Sequence, residues 1–154
     1  MSGEAAVRVA AILAAARGFL GTRWHHMGRT EHGLDCVGLV LVSFRTAGLD
    51  LADAIYARGY RGSDMLDHID AQGREVPLDP EHTGDITAGT RDGDVLLFAD
   101  GLHIAHLGIR STMYGDVPAV IHAHMRRRQV REEPLSADMG PLLRRAYRHP
   151  ALEG

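Results

Sequence analysis

The sequence predicts an α+β fold, and two observations carry that prediction. The first third of the chain places apolar residues at helical spacing. The last third replaces them with short, continuous apolar runs separated by turn dipeptides. Helices that come first and strands that follow segregate into helices packed on an antiparallel meander sheet. The 154 residues suit a single domain spanning 1–154 with a sizeable core.

The spacing predicts a first helix from residue 3 to about residue 18, rich in alanine, with Ser2 as its cap and Val9, Ile12, Leu13 and Ala16 on one face. A loop with aromatic and imidazole content, Phe19 to Arg29, leads to the second helix. That helix starts after Asp35, a good N-cap residue, and its apolar run ends at Gly48, a natural C′ residue. Residues 50–62 read as an irregular crossing. A short helix from Asp64 to Gln72 follows, capped by Ser63 and stopped by Gly73. Glu75 to Gly89, polar and broken by Pro77 and Pro80, reads as loop.

Val95 to Phe98 then forms a buried strand, introduced by Asp92-Gly93-Asp94. Asp100-Gly101 turns the chain into a strand from His103 to Ile109, and Tyr114-Gly115-Asp116 turns it into another from Ala119 to His124. A last strand covers Arg128 to Glu132. Leu142 to Tyr147 reads as a short closing helix or an irregular tail.

Composition excludes several function classes. With 17 basic and 20 acidic side chains the net charge is −3, so no bulk electrostatic case for nucleic acid arises. No stretch is long and apolar enough for a membrane-spanning helix. The alanine run is bracketed by Arg8 and Arg17 and lacks a cleavage site, so the reading is of a chain without a signal peptide, made in the cytoplasm. One cysteine forms no internal disulfide, and no CxxC pair offers a thiolate zinc site. A zinc site from Cys36, His106 and His122 also lacks the spacing signature, so no metal and no cofactor are expected.

That single cysteine, Cys36, falls in the first turn of the second helix. Unpaired backbone N–H groups and the positive end of the helix dipole favour a thiolate there, and the same N–H groups suit an oxyanion. The competing reading is a buried, inert thiol among Val37, Leu39 and Val40. A nucleophile needs a base, and ten histidines compete for that place. His103 and His106, three apart on a strand, point to opposite faces, so only one of them meets Cys36. His122 and His124 share a face, and spacing does not choose between them. His25, His26 and His32 precede the cysteine in its loop, while His68, His82 and His149 read as surface residues. The cluster Arg126, Arg127, Arg128 and Arg131 beside Glu132 and Glu133 reads as an edge strand blunted by charge, or as an anchor for substrate carboxylates.

These residues resemble the NlpC/P60 cysteine peptidases, which cut peptidoglycan stem peptides. Leu34-Asp35-Cys36-Val37-Gly38-Leu39-Val40 is similar to the family's Asp-Cys-Ser-Gly-Leu-Val signature. Gly93-Asp94-Val95 resembles its Gly-Asp-Leu strand, His106-Leu107-Gly108-Ile109 its His-Val-Gly-Ile strand, and Val120-Ile121-His122-Ala123 the strand bearing the third polar residue. The resemblance implies a papain-like fold with Cys36 as nucleophile, His106 as base then acid, and His122 orienting His106, with His124 the rival. Asp35 belongs to the same signature and is counted with the substrate and oxyanion side of the site. The family's loop tyrosine is replaced by Trp24, so either the indole N–H of Trp24 serves the oxyanion or Trp24 only packs and His26 takes over.

The loop pattern Trp24-x-His26-x-Gly28-Arg29 is closest to the phage-type branch of the family. That branch implies tail-tip or hub proteins of a phage or gene-transfer particle as partners, peptidoglycan stem peptides as substrate, and γ-D-glutamyl–diaminopimelate bonds as the point of cleavage. The particle then carries the enzyme to the periplasm and wall of the target cell. The alternative is a weak or inactive structural subunit of the tail tip.

Overall fold

The structure, a computed structural model, describes residues 1–53, 73–78, 87–100, 103–135 and 139–154. Helix α1 (Gly3–Gly18) starts where Ser2 Oγ accepts the Ala5 N–H at 3.1 Å, and it buries Ala5, Val9, Ile12, Leu13 and Ala16. Helix α2 (Cys36–Thr46) is capped by Asp35, and Gly48 follows its end with φ +84°, a left-handed conformation that costs glycine little. Between the helices a small ladder pairs β1 (Arg29–Thr30) with β2 (Gly33–Leu34).

The remaining strands are β3 (Arg74–Val76), β4 (Val95–Asp100), β5 (His103–Met113), β6 (Val117–His124), β7 (Gln129–Pro134) and β8 (Leu143–Arg148). They form one antiparallel sheet in the order β3-β8-β4-β5-β6-β7. Strands β4 to β7 are the expected meander. One face carries Val95, Leu97, Leu107, Ile109 and Ile121 against Ile12, Leu39, Val40 and Phe44 of the helices. The other face gathers Val76, Leu96, Phe98, Val120, Leu143 and Ala146.

Two readings of the sequence are corrected. Leu142 to Tyr147 is neither helix nor tail: most of it is strand β8, which returns between β3 and β4. Glu75 and Val76 belong to strand β3 rather than to a loop. A register shift where Leu97 pairs Arg145 and Phe98 pairs Leu143 inserts an extra residue into β8 and breaks its two-residue alternation. Leu143 and Ala146 therefore share one core while Tyr147 joins the other. The expected helix from Asp64 to Gln72, most of the crossing at 50–62, His68 and His82 lie outside the described residues.

The end of β8 is fixed by a buried ion pair. Arg148 Nε and Nη2 donate to Asp94 Oδ1 and Oδ2, both at 2.8 Å, and Asp94 Oδ2 also accepts the Arg91 N–H at 2.9 Å. Asp94 is wholly buried and Arg148 nearly so. This explains the Gly-Asp that introduces β4: the carboxylate ties the turn before β4 to the last strand. Replacing only one partner strands a buried charge, so Asp94→Ala is expected to destabilise the fold by about 3–5 kcal/mol. Urea denaturation followed by circular dichroism measures it, and a loss below about 1 kcal/mol contradicts the assignment.

Candidate active site

The site is built from the loop that precedes α2. Asp35 is buried, and its Oδ1 accepts the Gly38 N–H at 2.8 Å, which caps the helix. The same oxygen accepts Arg29 Nη1 at 3.0 Å, and Oδ2 accepts the Met27 N–H at 2.8 Å. Arg29 in turn reaches Asp53, with Nη2 3.1 Å from Oδ1. Gly38 permits the close approach this requires, since a Cβ there would lie 2.0 Å from the Gly28 carbonyl oxygen. Asp35 therefore clamps the loop to the helix.

With Asp35 occupying the Gly38 amide, the amides of Cys36 and Val37 remain at the helix start, and both pull the thiol pKa down. The Leu107 amide on β5 acts on the thiol in the same direction, and more strongly than either. The β5–β6 ladder stops at Ile109↔Ile121, so beyond that pair the strand segment carrying Leu107 is no longer laddered to β6. Cys36 is half-buried, packed beside the main core.

His106, the residue before Leu107, is half-buried and lies across from Phe98, with ring centroids 6.0 Å apart. Its Nε2 is 2.7 Å from Nδ1 of His122, which is 1% exposed. Gly108 keeps the two strands close: a Cβ there would meet Val120 Cγ2 at 2.3 Å and His122 Cβ at 3.3 Å. His124, the rival on the same face, turns elsewhere. Its Nδ1 accepts the Arg126 and Arg127 N–H groups at 3.2 Å, although its ring lies 5.0 Å from that of His122. The step from His106 to Ile104 against Phe98 and Ala99 leaves Ala105 as an extra residue, so the strict alternation assumed for His103 and His106 does not hold. The His103 side chain lies outside what is described.

The loop residues divide by position. Trp24 is half-buried against the core, and its main-chain N–H donates to the Arg128 carbonyl at 2.9 Å. With Gly21 N–H on Val130 O at 2.9 Å and Val130 N–H on Thr22 O at 2.8 Å, the loop covers the β7 edge that the sequence left to charge alone. His26 is half-buried beside exposed His25. His149, expected on the surface, is a half-buried cap: its Nδ1 accepts the Ala151 N–H at 3.0 Å and its Nε2 donates to Asp50 O at 2.8 Å. Glu133, which sequence reasoning passed over as part of a charged edge, places Oε2 3.5 Å from His122 Nε2. Only strand register could have found it, because nothing in its own neighbourhood of the sequence marks it.

Electrostatics oppose the expected thiolate. Desolvation first, and the Asp35 charge second, push the Cys36 thiol up to about 12 against the pull of the three amides. Desolvation and the neighbouring His122 and His124 push His106 down to about 3, and desolvation with His124 and Arg131 does the same to His122. The Cys36 thiol and the His106 imidazole therefore both rest uncharged. The arrangement suits a thiol that loses its proton to an imidazole as it attacks, more than a thiolate waiting at rest.

Comparison with known proteins agrees with the fold. The profile of the NlpC/P60 family matches residues 21–141, well over half of the chain. No curated protein matches it. Among solved structures it resembles the NlpC/p60 domain of the peptidoglycan hydrolase SagA at 19% identity and TM-score 0.61, covering 91% of this chain and 97% of that one. An NlpC/P60 family protein from Bacillus cereus superposes with TM-score 0.64 at 19% identity over 92% of this chain, which spans only 40% of the Bacillus protein. An N-acetylmuramoyl-L-alanine amidase from Bacteroides uniformis gives TM-score 0.63 at 12% identity, covering 92% of this chain and 98% of that one.

Two measurements follow from the charge state. Iodoacetamide labelling of Cys36 is expected to keep accelerating as pH rises past ~8.5, the ordinary thiol value, whereas a rate already level at pH 6 identifies a resting ion pair. Because His106 and His122 titrate near 3 when folded instead of the ordinary 6.5, the unfolded chain binds protons that the native state refuses. Their contribution to stability is complete above pH 6.5 and is lost as pH falls from 6.5 toward 3. His122→Gln should therefore flatten the melting temperature's dependence on pH across that window, and an unchanged slope contradicts the buried neutral state.

Proposed function

The chain belongs to the NlpC/P60 family, and on that premise we propose that it is a cysteine peptidase of peptidoglycan stem peptides. One observation carries the reading. The His106–His122 contact at 2.7 Å adjoins, along β5, Leu107, whose amide favours the thiolate of Cys36 at the mouth of α2. Solved relatives that are named as a peptidoglycan hydrolase and a muramoyl-alanine amidase support the substrate class.

In the proposed reaction the Cys36 thiol gives its proton to His106 as the sulfur attacks an amide carbonyl carbon. The carbon–sulfur bond forms and the oxyanion is met by the helix-start amides, with Trp24 or His26 as the loop donor. Collapse breaks the carbon–nitrogen bond, and the His106 imidazolium protonates the departing amine. His106 then takes a proton from water, which attacks the thioester. The acid leaves and Cys36 recovers its proton. His122 holds the His106 ring in the required orientation.

The bond proposed is γ-D-glutamyl–diaminopimelate. The likeness of Trp24-x-His26-x-Gly28-Arg29 to the phage-type loop supports delivery of the enzyme to the wall by a phage-like tail tip. The burial of Asp35 suits a clamp better than a direct substrate contact. A second reading, a tail-tip subunit that cleaves nothing, is favoured by Trp24 in the tyrosine position.

Purified sacculi and stem peptides separate the two. The wild type is expected to release peptides with a new amino terminus, Cys36→Ala to release none above background, and His106→Ala to lose about 100-fold or more. Equal and negligible release by wild type and Cys36→Ala supports the structural subunit instead.

A further inference from the structure

We infer that Glu133 is a positioning residue of the site, holding His122 in the one tautomer that leaves His106 able to accept the thiol proton. The inference rests on the proposed role of His106 as base, and it begins with a buried nitrogen. His122 Nε2 has no hydrogen-bond partner among the described residues, although the residue is 1% exposed. Glu133 Oε2 lies 3.5 Å from it, slightly beyond hydrogen-bond range. The other carboxylate oxygen, Oε1, is held by Arg131 Nε at 3.1 Å.

The tautomers form a chain of necessity. For His106 Nδ1 to take a proton from sulfur, that nitrogen must be bare, so the His106 proton sits on Nε2. Nε2 then donates to His122 Nδ1, 2.7 Å away, which must be bare in turn. A neutral His122 therefore carries its proton on Nε2, the nitrogen turned toward Glu133. A carboxylate there favours N–H over a lone pair. Without it, His122 is free to carry its proton on Nδ1 and donate to His106 Nε2. That moves the His106 proton to Nδ1 and closes the base to sulfur.

The surroundings fit this role. Burial keeps His122 uncharged, so Glu133 orients the ring without drawing a proton from it. Arg131 and the His124 ring also face His122, and both oppose its ionisation. When His106 gains the thiol proton, the Glu133 charge is the nearby influence that favours the imidazolium. The proton travels no further than His106, and Glu133 stays ionised throughout.

The test pairs nitrogen-15 NMR of the histidine rings with kinetics on stem peptides. In the wild type near neutral pH, His106 and His122 are both expected as the Nε2–H tautomer. Glu133→Leu removes the acceptor and should shift both rings toward Nδ1–H, lowering kcat about tenfold or more while KM changes less than about twofold. Glu133→Gln keeps an acceptor oxygen but no charge, so it should retain the tautomers and fall between the two in kcat. It also stands in if the leucine variant does not fold. Unchanged tautomers in Glu133→Leu overturn the inference whatever the enzyme cleaves. A wild type that cleaves no stem peptide sinks the proposed function and leaves the tautomer comparison to decide the role of Glu133.

Discussion

The geometry of this site depends on one buried carboxylate. Asp35 caps the helix through Gly38, holds the Met27 amide and takes one arm of Arg29. The cap spends one helix-start amide and leaves those of Cys36 and Val37 for the sulfur and for an oxyanion. The carboxylate exacts something in return, since its negative charge beside the thiol opposes the helix dipole that would favour a thiolate. A helix N-terminus alone therefore does not predict a charged cysteine. The cap residue and the depth of burial decide the sign.

Burial leaves neither the Cys36 thiolate nor the His106 imidazolium well solvated. In the proposed reaction charge appears only when substrate supplies a carbonyl carbon to attack, and the helix-start amides are the groups assigned to the oxyanion. Strand β5 makes this possible in two ways. Its ladder with β6 stops at Ile109, and Gly108 brings His122 against it. The β5–β6 ladder thus ends beside the contact between the two imidazoles.

Much of this was legible in the sequence, and the reasons for the rest are physical. The first helix, its cap and its buried face follow from alanine content and spacing, and the structure reproduces them. Asp35 as cap and Gly48 after the helix were readable for the same reason, because capping is a local matter. Strand β8 was not readable: three of its six residues, Leu143-Arg144-Arg145-Ala146-Tyr147-Arg148, are arginines, and a bulge breaks its period. Its last arginine is buried only because Asp94 waits on the neighbouring turn, a partner 54 positions away. The pairing of His106 with His122, and not with His124, likewise depends on how a turn uses its own amides. The backbone of residues 126 and 127 captures His124 and leaves His122 to its neighbour. Glu133 meets His122 only through strand register, which no local pattern encodes.

In the proposed reaction Cys36 carries the acyl group of the substrate, and the intact mass of the protein quenched in acid during turnover of a stem peptide tests this. A transient adduct with the mass of the acyl fragment is expected, mapped by peptide digestion to Cys36 and cleaved by hydroxylamine as a thioester. Peptide hydrolysis that proceeds with no adduct on that sulfur, under quenching fast enough to catch one turnover, contradicts it.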